Sequence, residues 1–162
     1  MAGYRLATYE GKSGPRAGLI VGETMFDAAE LTGESAYATV LGILGDWPRA
    51  SELLRGAAGA PAKAKGWPLS ETHLRAPLLW PGAIYCAGAN YRDHAAEMAR
   101  RMNRPPEADP KASGAKPWHF LKSPRSIADP GATIAALDYC KNLDWEIELA
   151  AVIGRIATKV SV

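Results

Sequence analysis

The segment Asp144-Trp145-Glu146-Ile147-Glu148-Leu149-Ala150-Ala151-Val152-Ile153-Gly154 constrains this chain more than any other. Strand alternation puts Trp145, Ile147 and Leu149 on one face and Glu146 and Glu148 on the other. The run that follows, Leu149 to Ile153, is apolar at every position, as in a strand covered on both faces. Two carboxylates about 7 Å apart on one strand repel if desolvated, unless a cation or a proton lies between them. A half-exposed strand with a polar outer face accounts for the alternation equally well, but not for the apolar continuation. With hard oxygen donors and no cysteine or second histidine in the motif, the donor chemistry points to Mg²⁺, Mn²⁺ or Ca²⁺ rather than structural zinc.

A second constellation lies upstream. Ala83 to Ala87 reads as a buried strand running through Gly88-Ala89-Asn90 into a helix that contains Asp93, His94, Glu97 and Met98. Asn90 suits the helix cap, and Tyr91, Ala95, Met98 and Met102 fall on one apolar stripe. His94 and Glu97 stand one turn apart beside that stripe. Such a pair is an ordinary surface contact in many helices. It is also what a general base for water needs, because a neighbouring carboxylate orients the imidazole and favours its charged form. Between the two constellations, the strand candidate at Phe120-Leu121-Lys122 places Lys122 where it can meet a substrate carboxylate or extend along a strand end. The polar insert Asn103 to Ala115, with Pro105-Pro106 and Pro110, leads away from the His94 helix and can let it move as a lid.

The N-terminal part has a different grammar. Tyr4 to Glu10, Ala17 to Val21 and Thr24 to Ala28 are short strand candidates separated by Ser13-Gly14-Pro15 and Gly22-Glu23, which predicts an antiparallel meander. Val40, Leu41, Leu44, Leu53 and Leu54 follow helical spacing and are interrupted at Asp46-Trp47-Pro48, which predicts two short helices. Gly56 to Gly66 is small and repetitive and reads as a loop. Leu69 to Leu74 is expected to form one more strand. A domain boundary near residue 72 divides a small α/β domain, 1–72, from a second domain, 73–162. The fold class expected is α+β, mainly β.

Composition excludes several classes. The 162 residues carry 19 Lys and Arg against 17 Asp and Glu, a net charge of +2, which is too balanced to make nucleic acid or an anionic membrane the expected partner. Arg100, Arg101 and Arg104 cluster at the predicted helix end, where cations also suit the helix dipole. Cys86 and Cys140 match no metal-binding or redox spacing and are expected as buried thiols. No stretch approaches the length of a membrane span, and the N-terminus lacks an apolar targeting core, so a cytoplasmic location is expected.

Three ordered motifs, Gly88-Ala89-Asn90-Tyr91-Arg92-Asp93-His94-Ala95-Ala96-Glu97-Met98, then Phe120-Leu121-Lys122-Ser123-Pro124, then Asp144 to Gly154, resemble the fumarylacetoacetate hydrolase family. The resemblance spans residues 83–155. It implies that 73–162 is the first part of the family's mixed β-roll, with Glu146 and Glu148 as ligands of Mg²⁺ or Mn²⁺. It also implies that His94 and Glu97 activate water and that Lys122 contacts substrate. The family's third metal carboxylate, an aspartate, comes from a later strand, so the chain is expected to be the N-terminal part of a longer protein. The activity implied is carbon–carbon bond hydrolysis in a 2-oxo acid such as an acylpyruvate or fumarylpyruvate, by a homodimer. An isomerase or decarboxylase of the same family in aromatic catabolism is the alternative, and a non-catalytic module is a third reading.

Overall fold

The computed structural model describes residues 3–61, 64–105, 109 and 111–161. Pro106 and Pro110 of the expected insert, residues 62–63 of the expected loop and the chain ends 1–2 and 162 lie outside the described residues. Two compact units form: Met1–Leu79 together with Ala128–Val162, and Trp80–Ile127. Strands and helices are mixed in an α+β arrangement.

The first unit is built on an antiparallel sheet of β1 (Arg5–Gly11), β2 (Gly14–Val21), β3 (Thr24–Asp27) and the short β4 (Trp67–Pro68), in that order. The meander forms because the turns between β1, β2 and β3 are short, so each strand meets its partner at little entropic cost. Arg5 pairs with Ile20 and Leu19 with Phe26. Both faces of the sheet are covered. Leu19 and Phe26 pack with Leu31, Tyr37, Val40, Ile43 and Leu54 of the helical layer, while Ala7, Ile20 and Met25 lie under Trp67, Leu69 and Leu74 on the other face. Gly18 makes this second layer possible, since a Cβ there would lie 2.3 Å from the Met25 sulfur.

The helical layer comprises α1 (Ala28–Thr32), α2 (Val40–Gly45) and α3 (Trp47–Gly59). The break expected at Asp46-Trp47-Pro48 is present, with Pro48 in the first turn of α3, where its missing N–H leaves no bond unmade. Thr39 caps α2 by accepting from the Gly42 amide at 3.0 Å. Three local expectations are corrected. The stretch 28–32 continues from β3 as a helix, because Asp27 accepts from the Glu30 amide and starts it, and Gly33 at φ 75° ends it. α3 reaches Gly59, four residues into the expected loop, carried by buried Ala58. Leu69–Glu71 is a 3₁₀ turn rather than a strand, and β4 precedes it.

Residues 144–154, expected as a strand buried on both faces, form neither helix nor strand and are almost entirely exposed: Ile147 is 83% and Leu149 91% accessible. Alternation records which side chains share a face, but a strand also needs a neighbour to complete its ladder. No strand among the described residues pairs with this segment.

The second unit pairs β5 (Ile84–Ala87) with β6 (His119–Lys122) antiparallel and adds α4 (Arg92–Arg101). The β5 strand is less buried than expected, with Tyr85 exposed. Cys86 and Cys140 are free and half-buried rather than buried.

Candidate functional site

In the second unit, β5 leads through Gly88-Ala89-Asn90 into α4. Ala89 takes a left-handed backbone at φ 48° and turns the chain, so the helix begins at Arg92 with Tyr91 at its cap. Asn90 is therefore not the cap, and no side-chain capping bond forms at Tyr91. Gly88 is held from both sides: its amide donates to the Trp118 carbonyl at 3.1 Å, and a Cβ on it would lie 2.0 Å from the Trp118 ring. The tryptophan just before β6 thus presses on the turn that sets the direction of α4. Sequence reasoning missed this role, although a glycine ahead of a helix that also carries His94 is a signal of close approach.

His94 and Glu97 lie one turn apart on α4, both half-buried. Glu97 Oε1 accepts from Arg101 at 2.7 Å, one further turn along. This i, i+4 pair makes Arg101 the charged partner of Glu97 and places its cation at the helix end, where the dipole favours it. The apolar stripe is narrower than expected. Ala95 and Met98 are half-buried and Tyr91 and Met102 exposed, while the buried residue of the helix is Ala99, outside the expected stripe. On β6, Lys122 pairs in register with Ile84, and its ammonium stands 5.8 Å from the centre of the Phe120 ring, within cation–π range. Phe120 in turn packs near Trp118, with ring centres 6.0 Å apart. Just after Lys122, a groove of about 510 Å³ is lined by Trp80, Ser123, Pro124 and Arg125.

Glu146 and Glu148 belong to the first unit, and both are exposed. As hard oxygen donors at alternate positions they fit a divalent ion in kind but not in number. Among the described residues, no group of three or more His, Cys, Asp or Glu side chains is placed to hold a metal ion.

The strongest electrostatic features lie elsewhere in the first unit. Asp27, almost fully buried, receives the Tyr9 hydroxyl at 2.7 Å and Arg16 through Nε at 2.5 Å and a second guanidinium nitrogen at 2.9 Å. Burial pushes the Asp27 carboxyl up, but the bonds from Arg16, Tyr9 and the Glu30 amide outweigh it and hold the group below the usual carboxylate range. Burial, with the hydrogen bond to Asp27, pushes the Tyr9 hydroxyl up to about 12. A cavity of about 460 Å³ beside this network is bordered by Trp67, Lys12, Glu30 and Glu71 and contains none of the expected site residues. Among the described residues, no helix is long and apolar enough to cross a membrane.

Residues 83–162 match the family model described as the fumarylacetoacetate (FAA) hydrolase C-terminal domain. The chain is similar to Protein Rv2993c of Mycobacterium tuberculosis, with 35% identity over 128 residues, which are 77% of this chain and 44% of that one. It is similar to oxaloacetate tautomerase YisK of Bacillus subtilis, with 38% identity over 95 residues, 57% of this chain and 29% of that protein. The chain therefore spans less than half the length of these curated relatives. A solved maleylpyruvate hydrolase from Sphingobium, in complex with manganese and pyruvate, is 28% identical with a TM-score of 0.45, covering 74% of this chain and 37% of that one.

Proposed function

We propose that this chain, which belongs to the fumarylacetoacetate hydrolase family, supplies the proton-transfer and metal-ligand residues of an enzyme that works on 2-oxo acids through their enolates. The observation that carries this reading is the placement of His94 and Glu97 on one turn of α4 directly behind the locked Gly88 turn, with Lys122 on the strand paired to β5 in the same unit. Lys122 receives the substrate carboxylate, its ammonium held near the Phe120 ring. His94 takes a proton from water, and the hydroxide adds to the acyl carbonyl. The carbon–carbon bond then breaks with its electron pair on the 2-oxo acid fragment, and that enolate is protonated. Glu97, one turn further along α4, orients the imidazole.

Glu146 and Glu148 are the proposed ligands of a divalent ion, Mg²⁺, Mn²⁺ or Ca²⁺, with further donors required beyond these two. In this reading residues 1–72 are a small N-terminal domain and 73–162 the first part of a catalytic β-roll, in a homodimer located in the cytoplasm. No nucleic acid or membrane takes part.

Keto–enol tautomerisation is a second reading, favoured by the oxaloacetate tautomerase activity for which the YisK relative is named. It needs the same proton movement at His94 without attack by water, so one substrate panel separates the two. With Mg²⁺ or Mn²⁺ present, an acylpyruvate cleaved into two acids supports hydrolysis, and enol-to-keto conversion of oxaloacetate without cleavage supports tautomerisation. In the protein carrying the complete family domain, His94→Ala is expected to lower kcat by about 10²–10⁴-fold while metal affinity is kept. Wild-type turnover in that variant would return the pair to an ordinary helix-surface contact. Glu146→Gln or Glu148→Gln should abolish the metal-dependent rate without unfolding the protein, and retained activity at moderate metal concentration would remove them as ligands.

A further inference from the structure

Three segments distant in sequence meet at one guanidinium in the first unit. Arg75 extends one nitrogen to Glu10 at the end of β1 and donates through Nε to Asp129 Oδ2 at 2.7 Å. The other Asp129 oxygen accepts the backbone amide of Ala76 at 2.8 Å, so one carboxylate holds both the side chain of residue 75 and the main chain of residue 76. Ala76 is 2% exposed, which keeps water from competing for that amide. The Ala76 amide and Arg75 hold the Asp129 carboxyl below the usual range, as expected for a carboxylate engaged by two donors. Separate bonds fasten the 73–75 stretch to β1: the Glu10 amide donates to His73 at 2.9 Å and the Arg75 amide to Thr8 at 2.8 Å. Beyond Asp129, the backbone from 131 to 153 is exposed at every residue except Cys140 and contains neither helix nor strand, so burial supplies little to hold its start in place.

We infer that Arg75 and Asp129 form a clasp that fixes the point at which segment 128–161 leaves the N-terminal sheet, with Glu10 orienting the guanidinium. The clasp is separable from the sheet because the β1 bonds to residues 73 and 75 use backbone carbonyls and not Asp129. It does not rest on the catalytic reading of His94, although the segment it directs carries Glu146 and Glu148.

Hydrogen exchange resolved at single amides tests the clasp on this chain as it stands. In Asp129→Ala, the Ala76 amide should exchange at least about tenfold faster because its acceptor is gone, and Ala132 should follow because the turn it closes on the Asp129 backbone carbonyl, at 3.1 Å, is no longer anchored by the side chain. The Arg75 and Glu10 amides should stay within about twofold of wild type, since their acceptors are untouched. An unchanged Ala76 amide overturns the clasp. So does an equal rise at residues 10, 75 and 76, which would make Asp129 a general support of the sheet. If the alanine variant does not fold, Asp129→Asn decides: it keeps an acceptor for the Ala76 amide but loses the charge facing Arg75. Ala76 should then exchange faster than in wild type, and a rate equal to wild type overturns the ionic clasp.

Discussion

Two five-residue apolar runs in this chain, Ala17–Val21 and Leu149–Ile153, meet opposite fates. In the first, Ala17 and Leu19 are fully buried; in the second, Leu149 is 91% exposed and Ile153 77%. Hydrophobicity does not separate them. The first run lies in a strand whose two partners start and end within a few residues of it, so turn formation and pairing cost little chain entropy. The second pairs with no strand among the described residues, and its large side chains stay exposed. Burial here follows the availability of a partner rather than the apolarity of the run.

The largest effect should come from cutting into the partnered run. Leu19→Ala is expected to cost about 2–5 kcal/mol, because the side chain sits between the sheet and α3 and the site cannot collapse freely. Chemical denaturation measures it. A loss below 1 kcal/mol would mean that the first unit is packed as loosely as the exposed segment.

Next comes the polar node that ends β3. Asp27→Ala removes the acceptor of Tyr9, Arg16 and the Glu30 amide together and should cost about 1.5–3 kcal/mol. Its pH signature has a definite sign. The Asp27 carboxyl lies lower in the folded protein than its unfolded value of 3.8, so its contribution is complete above that value and is lost as pH falls through the folded one. Tyr9 behaves oppositely: its folded value is raised from 10.0 to about 12, so its contribution is complete below 10 and is lost as pH rises between the two. Thermal melts across acid and alkaline pH should show the acid flank of Asp27 in the wild type and not in Asp27→Ala, and a weaker alkaline flank in the variant, where Tyr9 keeps its burial but loses the hydrogen bond.

The smallest effect should come from the exposed run. Leu149→Ala is expected to change stability by no more than about 0.5 kcal/mol. The paired change Ile147→Lys with Leu149→Lys should leave the melting temperature in place while reducing self-association in sedimentation at high concentration, because it breaks an exposed apolar stretch. A large loss of stability in either variant would show that the segment is packed in solution and would dissolve the contrast with Ala17–Val21. Calorimetric titration sharpens it further: with no group of three or more metal-holding side chains among the described residues, residues 1–162 should bind Mg²⁺ only weakly.

What the sequence made legible follows the same division. The meander at 4–28, the helix break at Asp46 and the β5-to-α4 passage were all readable, because each depends on turn residues and periodicity a few positions apart. The helical turn shared by His94 and Glu97 was readable for the same reason. The ion pair of Glu97 with Arg101 was not, since several i, i+3 and i, i+4 partners are open to a residue on one helix face. Nor was the Asp27 node, in which Tyr9 and Arg16 come from different strands and meet only through register. Glu146 and Glu148 could be recognised as a pair from their spacing. What they pair against is set by contacts remote in the chain, and alternation carries no record of those.

The contact between Gly88 and Trp118 also bears on inheritance. With no room for even one methyl group between the backbone of the turn and the indole ring, a side chain could be accepted at 88 only in a lineage that had already given up the large ring at 118. The order of events is constrained in reverse as well, since a smaller residue at 118 leaves a hollow over the turn that a side chain at 88 could then occupy. Across divergent sequences a side chain at 88 should therefore occur only where 118 is smaller than tryptophan, although thirty residues separate the two along the chain.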